Sequence, residues 1–180
     1  MSVPVIHSPR IDLVSMSPGV LEALLDGRRE QARALLGTRI ADGWPDRHDH
    51  GFLRMRLGQM REDASTQRWL VRAMVRRRGR AMIGFAGYHG PPGVNGPGLG
   101  DAVEIGYRVF PPYRGRGYAT EVAQALVAWA GEQGVARVVA SIGPDNTPSL
   151  AIARRLGFVQ TGEQWDEEDG LELVFERPTA

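Results

Sequence analysis

The sequence predicts a single α/β domain, α+β in its detail, with a mixed and mostly antiparallel central sheet and helices on both faces. Three observations predict it. Residues 103–142 read strand, glycine-rich turn, helix, strand, which calls for a parallel pair joined by a right-handed crossover. Residues 69–88 and 158–177 each read as two strand-like runs joined by a polar turn, the signature of a hairpin. Residues 18–61 carry apolar stripes at helical spacing.

Each element follows in order. Arg10 to Met16 alternates and forms a first strand. Ser17-Pro18 marks a helix start, with serine as cap and proline in the first position. Val20, Leu21, Leu24 and Leu25 make its stripe; Ala32, Leu35 and Leu36 continue one after Arg28-Arg29, and Gly37 stops that second helix. Ile40 to Asp49, with Trp44-Pro45, is loop-like, and His50 to Arg61 is a third helix carrying Phe52, Leu53, Leu57 and Met60. Trp69 to Val75 and Ala81 to Tyr88 pair around the turn Arg76-Arg77-Arg78-Gly79-Arg80. His89 to Gly100 is a loop, since 8 of its 12 residues are Gly or Pro. Val103 to Phe110 is the fourth strand, Tyr118 to Gly131 a helix with Val122, Leu126, Trp129 and Ala130 on one side, and Arg137 to Ile142 the fifth strand. These two strands are the expected parallel pair. Asn146 to Leu156 is a helix with Asn146 as cap, Pro148 in its first turn and Gly157 as its stop. Phe158 to Trp165 and Leu171 to Arg177 form the last hairpin, around Asp166-Glu167-Glu168-Asp169-Gly170.

Composition narrows the function classes. A chain of 180 residues buries a real core within one domain. A net charge of +1 gives no bulk electrostatic case for nucleic acid or a membrane surface. The arginine run at 76–80 has no interleaved aromatics and reads as a solvated turn. With no cysteine there is no disulfide, thiolate metal site or cysteine nucleophile, and no metal is expected. Met1 to Leu13 lacks the basic-then-apolar pattern of a signal peptide, and no run of 18 apolar residues exists. The expectation is a cytoplasmic enzyme, monomer or homodimer.

The most informative segment is Arg114-Gly115-Arg116-Gly117-Tyr118-Ala119, which ends a strand and opens a helix. A glycine-rich turn there exposes backbone N–H groups at the positive end of the helix, which is a phosphate site. Its glycines let the backbone approach a ligand with no Cβ in the way. It has neither the GK[ST] ending of a P-loop nor the three-glycine spacing of a dinucleotide fingerprint. It fits R/Q-x-x-G-x-G/A, with Arg114 first, Gly117 fourth and Ala119 sixth.

That pattern resembles the acyl-CoA pyrophosphate loop of the GNAT N-acetyltransferase superfamily. Two further patterns match at the right intervals: Val103-Glu104-Ile105-Gly106-Tyr107 before the loop, and Asn146-Thr147-Pro148-Ser149 followed by Leu156-Gly157-Phe158. The similarity covers residues 8–177 and is greatest to the branch with ribosomal-protein N-terminal acetyltransferases. It implies acetyl-CoA as cosubstrate and direct attack by an amine on the thioester in a ternary complex. Arg114, Gly115, Arg116, Gly117, Tyr118, Ala119 and Thr120 would bind the pyrophosphate. Val109 and Phe110, by family position, would hold the pantetheine and offer a backbone N–H to the acetyl carbonyl. Glu104 would be the general base, directly or through water; as residues alone, a glutamate between Val103 and Ile105 also reads as solvent-facing or arginine-paired. Ser149 would protonate or hydrogen-bond the CoA sulfur, a role taken by tyrosine in many relatives and with no tyrosine in this segment. Asn146 would orient the cofactor or a water.

The implied acceptor groove lies between the N-terminal helices and the last hairpin, with Trp44, His48, His50, Tyr88, His89 and Trp165 as lining candidates. The acidic turn at Asp166 to Asp169 would attract a cationic amine or simply be solvated. A protein N-terminus and a small primary amine both remain open as acceptor. All 22 basic residues are arginine, so no side-chain amine is present for self-acetylation. Two other classes are a non-catalytic acyl-CoA-binding or regulatory module on the same fold, and a nucleotide-binding protein that uses the glycine loop.

Overall fold

The computed structural model describes residues 3–167 and 169–180. Along them run β1 (Ile6–His7), β2 (Ile11–Ser15), α1 (Pro18–Leu25), α2 (Arg29–Leu36), α3 (Arg47–Glu62), β3 (Arg72–Arg76), β4 (Met82–Tyr88), β5 (Ala102–Val109), α4 (Tyr118–Glu132), β6 (Arg137–Ile142), α5 (Thr147–Arg155), β7 (Val159–Asp166) and β8 (Gly170–Pro178). Short 3-10 turns occupy Ala64–Arg68 and Pro111–Tyr113.

The expected order holds, with one strand added at the front. β1 is two residues long, too short for alternation to reveal, and exists because Ile6 and His7 pair with Leu13 and Asp12. Local chemistry explains the shifted boundaries. Ser17 stands at the start of α1 but its side chain makes no capping bond, so Pro18 alone sets that end. α3 begins at Arg47 rather than His50 because Asp46 and Asp49 form a reciprocal capping box. Asn146 caps α5 as expected, accepting from the Ser149 N–H at 3.2 Å. β3 starts at Arg72 because Trp69 still closes the preceding 3-10 turn.

One eight-stranded sheet has the order β1-β2-β3-β4-β5-β6-β8-β7. Every neighbouring pair is antiparallel except β5–β6. That parallel pairing covers Ala102–Glu104 against Arg137–Val139 and no further. Beyond it β5 stays with β4 as far as Val109 opposite Gly84, while β6 stays with β8 as far as Ile142 opposite Leu173. The two strands therefore part, and a wedge opens in the middle of the sheet.

Alternation along the strands divides the apolar side chains between the two faces. Val103 and Ile105 of β5, with Met74 and Ile83, meet Val122, Leu126 and Trp129 of α4. On the other face Ala73, Val75 and Met82 meet Leu21 and Leu24 of α1 and Leu53, Leu57 and Met60 of α3. Trp69, Tyr88 and Trp129 pack ring against ring, and the Tyr88 hydroxyl donates to the Leu126 carbonyl at 2.6 Å. This fixes α4 over the wedge. Its N-terminus then lies where β5 ends.

Candidate active site

The wedge is flanked by three connected cavities. The first, about 620 Å³, runs between the start of α4 and the start of α5. Arg114, Gly115, Gly117, Tyr118, Ala119 and Thr120 line one side; Asn146, Pro148, Ser149 and Ile152 line the other; Tyr107 and Val109 form its floor. The second, about 700 Å³, lies along the β6 side of the wedge and against the last hairpin, with Ser141, Asp145, Trp165, Asp169 and Glu172 among its walls. The third, about 120 Å³, lies against α3 and is lined by Phe52, Arg56, Phe85 and Arg108. Tyr107 lines all three.

The glycine loop has the conformation its sequence suggested. Gly115 and Gly117 both have positive φ, 71° and 77°, a region where a Cβ is strained. Gly117 is the N-cap of α4 and offers no side-chain cap, so the first-turn N–H groups stay open to the cleft. A brace behind the loop holds it. Arg10 donates to Glu121 at 2.7 Å and to the Arg116 carbonyl at 3.2 Å, and its guanidinium lies 4.5 Å over the Tyr118 ring. Ser8 donates to the same Glu121 carboxylate at 2.6 Å. Burial works against ionisation of Glu121, but Ser8 and Arg10 outweigh it and hold the carboxyl below the usual glutamate range. An acid in the first turn would repel a phosphate; here its charge is turned aside and neutralised.

At the end of β5, Arg114 donates to the Val109 carbonyl at 2.9 Å. The Phe110 N–H does not face the cleft, because it donates to Ile83 of β4 at 2.8 Å. Backbone groups alternate sides along a strand, so the N–H groups of Tyr107 and Val109 are the ones turned into the wedge. The Phe110 side chain packs in the α1–α3 core with Trp44 and Phe85. Arg116 is exposed and does not line the cleft.

Ser149 sits where the first and second cavities join. Its hydroxyl and the Tyr107 phenol line the same two cavities. Burial raises the Tyr107 pKa and the Ser149 side chain works against it. A tyrosine therefore does stand beside Ser149, delivered by β5 rather than by the α5 segment. Its signal was the two-residue spacing from Ile105, which places both side chains on one face of the strand.

Glu104 is 2 % exposed. Its Oε2 accepts from the Gly96 N–H at 2.6 Å, and its Oε1 lies 3.6 Å from Nδ1 of His89. The Gly/Pro loop at 89–100 supplies both contacts and is itself tied by Asn95, which donates to the Leu99 and Ala102 carbonyls. Glu104 is thus neither solvent-facing nor arginine-paired. Arg108, four residues on, pairs instead with the buried Asp49 at 2.9 Å.

The acceptor candidates divide sharply. Trp165 is 76 % exposed and lines the second cavity, and His89 lines the second and third. Trp44 is buried against Phe85 and Phe110 in the core. Tyr88 is fully buried with its hydroxyl engaged on α4, although its residue borders the third cavity. His48 and His50 lie on the first turns of α3, away from the cavities. Of the acidic turn, Asp169 lines the second cavity, and Glu168 lies outside the described residues. Among the described residues no arginine lines that cavity, while Asp145, Asp169 and Glu172 do. Burial, joined by the nearby Glu104, Asp166 and Asp169 charges, raises the Glu172 pKa against a hydrogen bond from Gln164. Among the described residues no group of three His, Cys, Asp or Glu is placed to hold a metal, and no helix is long and apolar enough to cross a membrane.

Comparison with known proteins agrees with this geometry. Residues 14–159 match the acetyltransferase (GNAT) domain family. An uncharacterised N-acetyltransferase, YjdG of Bacillus subtilis, is 32 % identical over 92 residues, which is 51 % of this chain and 50 % of that protein. The match thus spans about half the length of that curated relative. A structure described as a GnaT-family acetyltransferase from Bordetella pertussis superposes with a TM-score of 0.67 at 25 % identity, over 97 % of this chain and 99 % of that one. RimL, a ribosomal L7/L12 alpha-N-protein acetyltransferase solved in complex with coenzyme A, shares the fold with a TM-score of 0.64 at 19 % identity, over 97 % and 98 %. With its family model matched across most of its length, the chain belongs to the GNAT acetyltransferase domain family.

Proposed function

We propose that the protein is an acetyl-CoA-dependent N-acetyltransferase that transfers the acetyl group directly to a cationic amine. One observation carries this reading: the cleft at the α4 N-terminus and the acidic groove meet at Tyr107, inside the opening between β5 and β6. A cosubstrate enters from one side and an acceptor from the other, and their reacting ends meet with no covalent enzyme intermediate. The N–H groups of Gly115, Gly117 and the first turn of α4 hold the pyrophosphate. The Val109 and Tyr107 N–H groups take up the pantetheine as an added strand and polarise the acetyl carbonyl. Asn146 keeps α5 in register with the cleft. Ser149, backed by Tyr107, delivers the proton to the leaving thiolate; a phenol is the stronger acid of the two and supplies the pair with a usable proton. Removal of the ammonium proton belongs to the Glu104 side of the wedge.

The acceptor side is apolar at Trp165 and negative at Asp145, Asp169 and Glu172, which suits a protonated amine carried on a peptide terminus or a small molecule. The RimL comparison favours the peptide terminus, at the level of fold analogy. The reading places the protein in the cytoplasm, where acetyl-CoA is made and used.

Calorimetry with acetyl-CoA, followed by thiol release with a panel of peptides and small primary amines, tests the proposal. Saturable binding that is lost in Gly117→Glu, and turnover with at least one amine, is the expected result. Binding without turnover across the panel would instead indicate an acyl-CoA-binding module, and no binding by folded protein would sink both readings.

A further inference from the structure

Glu104 cannot itself reach an acceptor amine in this arrangement. It is 2 % exposed, it lines neither groove, and one of its oxygens is held by the Gly96 N–H. His89 stands between it and the groove. The backbone of His89 is pinned on both sides: its N–H donates to the Glu104 carbonyl at 2.8 Å, and its carbonyl accepts from Arg56 at 2.7 Å. The ring then has one nitrogen on each side. Nδ1 faces the Glu104 carboxylate at 3.6 Å. Nε2 lies over Gly106, where a methyl group would meet it at 3.2 Å. Gly106 lines both acceptor-side cavities and immediately precedes Tyr107, the residue at which the three cavities meet.

We propose that His89 accepts the proton from the acceptor ammonium through Nε2, and that Glu104 is the positioning residue behind it. This inference rests on the acetyl-transfer reading of the same opening and assigns its proton path. A carboxylate at Nδ1 favours the tautomer with its proton on Nδ1, which leaves the Nε2 lone pair directed at the wedge. The His89 side chain is 46 % exposed; its partial desolvation lowers the imidazole below the ordinary histidine value of 6.5, and Arg56 of α3 pushes the same way, while Glu104 of β5 and Asp166 of β7 pull against them. Glu172 of β8 lines the same groove. The ring is therefore neutral at pH 7 and able to accept a proton. In the reaction the ammonium R–NH3⁺ gives one proton to Nε2 and becomes R–NH2. Its lone pair forms the N–C bond to the acetyl carbon, and the C–S bond breaks with its electron pair on sulfur. The thiolate takes a proton from the Tyr107–Ser149 pair, the second proton lost by the nitrogen restores that pair, and the imidazolium returns its proton to solvent. Glu104 stabilises that transient imidazolium.

The test uses full-length protein, acetyl-CoA and the best acceptor from the amine panel. In wild type kcat/KM should fall on the acid side with an apparent pKa below that of free histidine. His89→Gln should lose about 100- to 10,000-fold in kcat near neutral pH and lose that acid limb, with acetyl-CoA affinity unchanged. In His89→Ala, added imidazole should restore part of the rate. Glu104→Gln should keep the limb but displace it to lower pH, and nitrogen NMR of labelled histidine should show the Nδ1–H tautomer of His89 depleted in that variant. Wild-type turnover with an unchanged rate and limb in His89→Gln would overturn this inference alone, as would a His89 tautomer indifferent to Glu104. Failure of wild type to acetylate any amine would overturn the transferase reading beneath it.

Discussion

In the proposed reaction two residues set the leaving-group chemistry. The Tyr107 phenol and the Ser149 hydroxyl both line the join of the two cavities. If this pair protonates the thiolate, Tyr107→Phe should lower kcat by about 100-fold or more while the acetyl-CoA dissociation constant moves little. Ser149→Ala should cost less, since the phenol remains. Equal losses in both, or a loss confined to KM, would show that the pair binds the cosubstrate and does not move the proton. At this scale the sequence was explicit about Ser149 and silent about its partner. Tyr107 and Ser149 are 42 positions apart, and nothing in linear spacing joins a strand residue to the first turn of a helix three elements later. Phe110 shows the converse. Motif position alone made it a donor, whereas strand alternation committed its N–H to Ile83.

Elements decide the cosubstrate site through the N-terminus of α4. The helix depends on a brace that its own sequence does not contain, because Ser8 and Arg10 come from the opposite end of the chain to hold Glu121. The brace gives a pH-dependent stability whose sign is fixed. Glu121 has a folded pKa below its ordinary value of 4.5, so its contribution is complete above about that pH and disappears as pH falls through the lower folded value. Glu121→Gln should therefore be less stable than wild type at pH 7, by on the order of 1 kcal/mol, or about 2–4 °C in Tm. As pH falls below 4.5 the gap between the two melting curves should narrow. A gap that does not narrow with falling pH would mean that the amide disturbs packing and that the charge is not the cause. Element order was legible because each helix and strand carries its own periodicity and stops: Gly37 takes the left-handed conformation that ends α2, and Asn146 caps α5. Boundaries moved where a cap acted unrecognised, as with Asp46 and Asp49 at α3.

The whole molecule adds a field. Net charge is +1, yet the acceptor groove gathers Asp145, Asp169 and Glu172 with no arginine among its described lining residues. For a cationic amine this should steer encounter, so kcat/KM should fall as salt rises from about 0.05 to about 0.5 M, the range over which the Debye length shrinks to well under about 10 Å. Glu172→Gln should flatten that dependence. A salt-insensitive kcat/KM for a charged acceptor would remove the groove from the recognition step. The arginines excluded from this groove are spent elsewhere: Arg108 on Asp49, Arg56 on the His89 carbonyl, and Arg72, fully buried, on the Pro4, Leu13 and Arg68 carbonyls.

By itself the sequence determined the order of strands and helices, the parallel crossover at 103–142 and the glycine-rich, uncapped entry to α4. Each is written in local periodicity, glycine placement and cap chemistry, which act within a few residues. The tertiary structure alone decided which side chains share a cavity. Pairing of β5 with β4 and of β6 with β8 pulls the parallel pair apart after Glu104, and that divergence, a property of the sheet and of no single strand, makes the opening. The same divergence set Tyr107 beside Ser149 and His89 in front of Glu104, and it left Trp44 in the core, because side chains are sorted by the face and layer they reach and those depend on pairings far away in the chain.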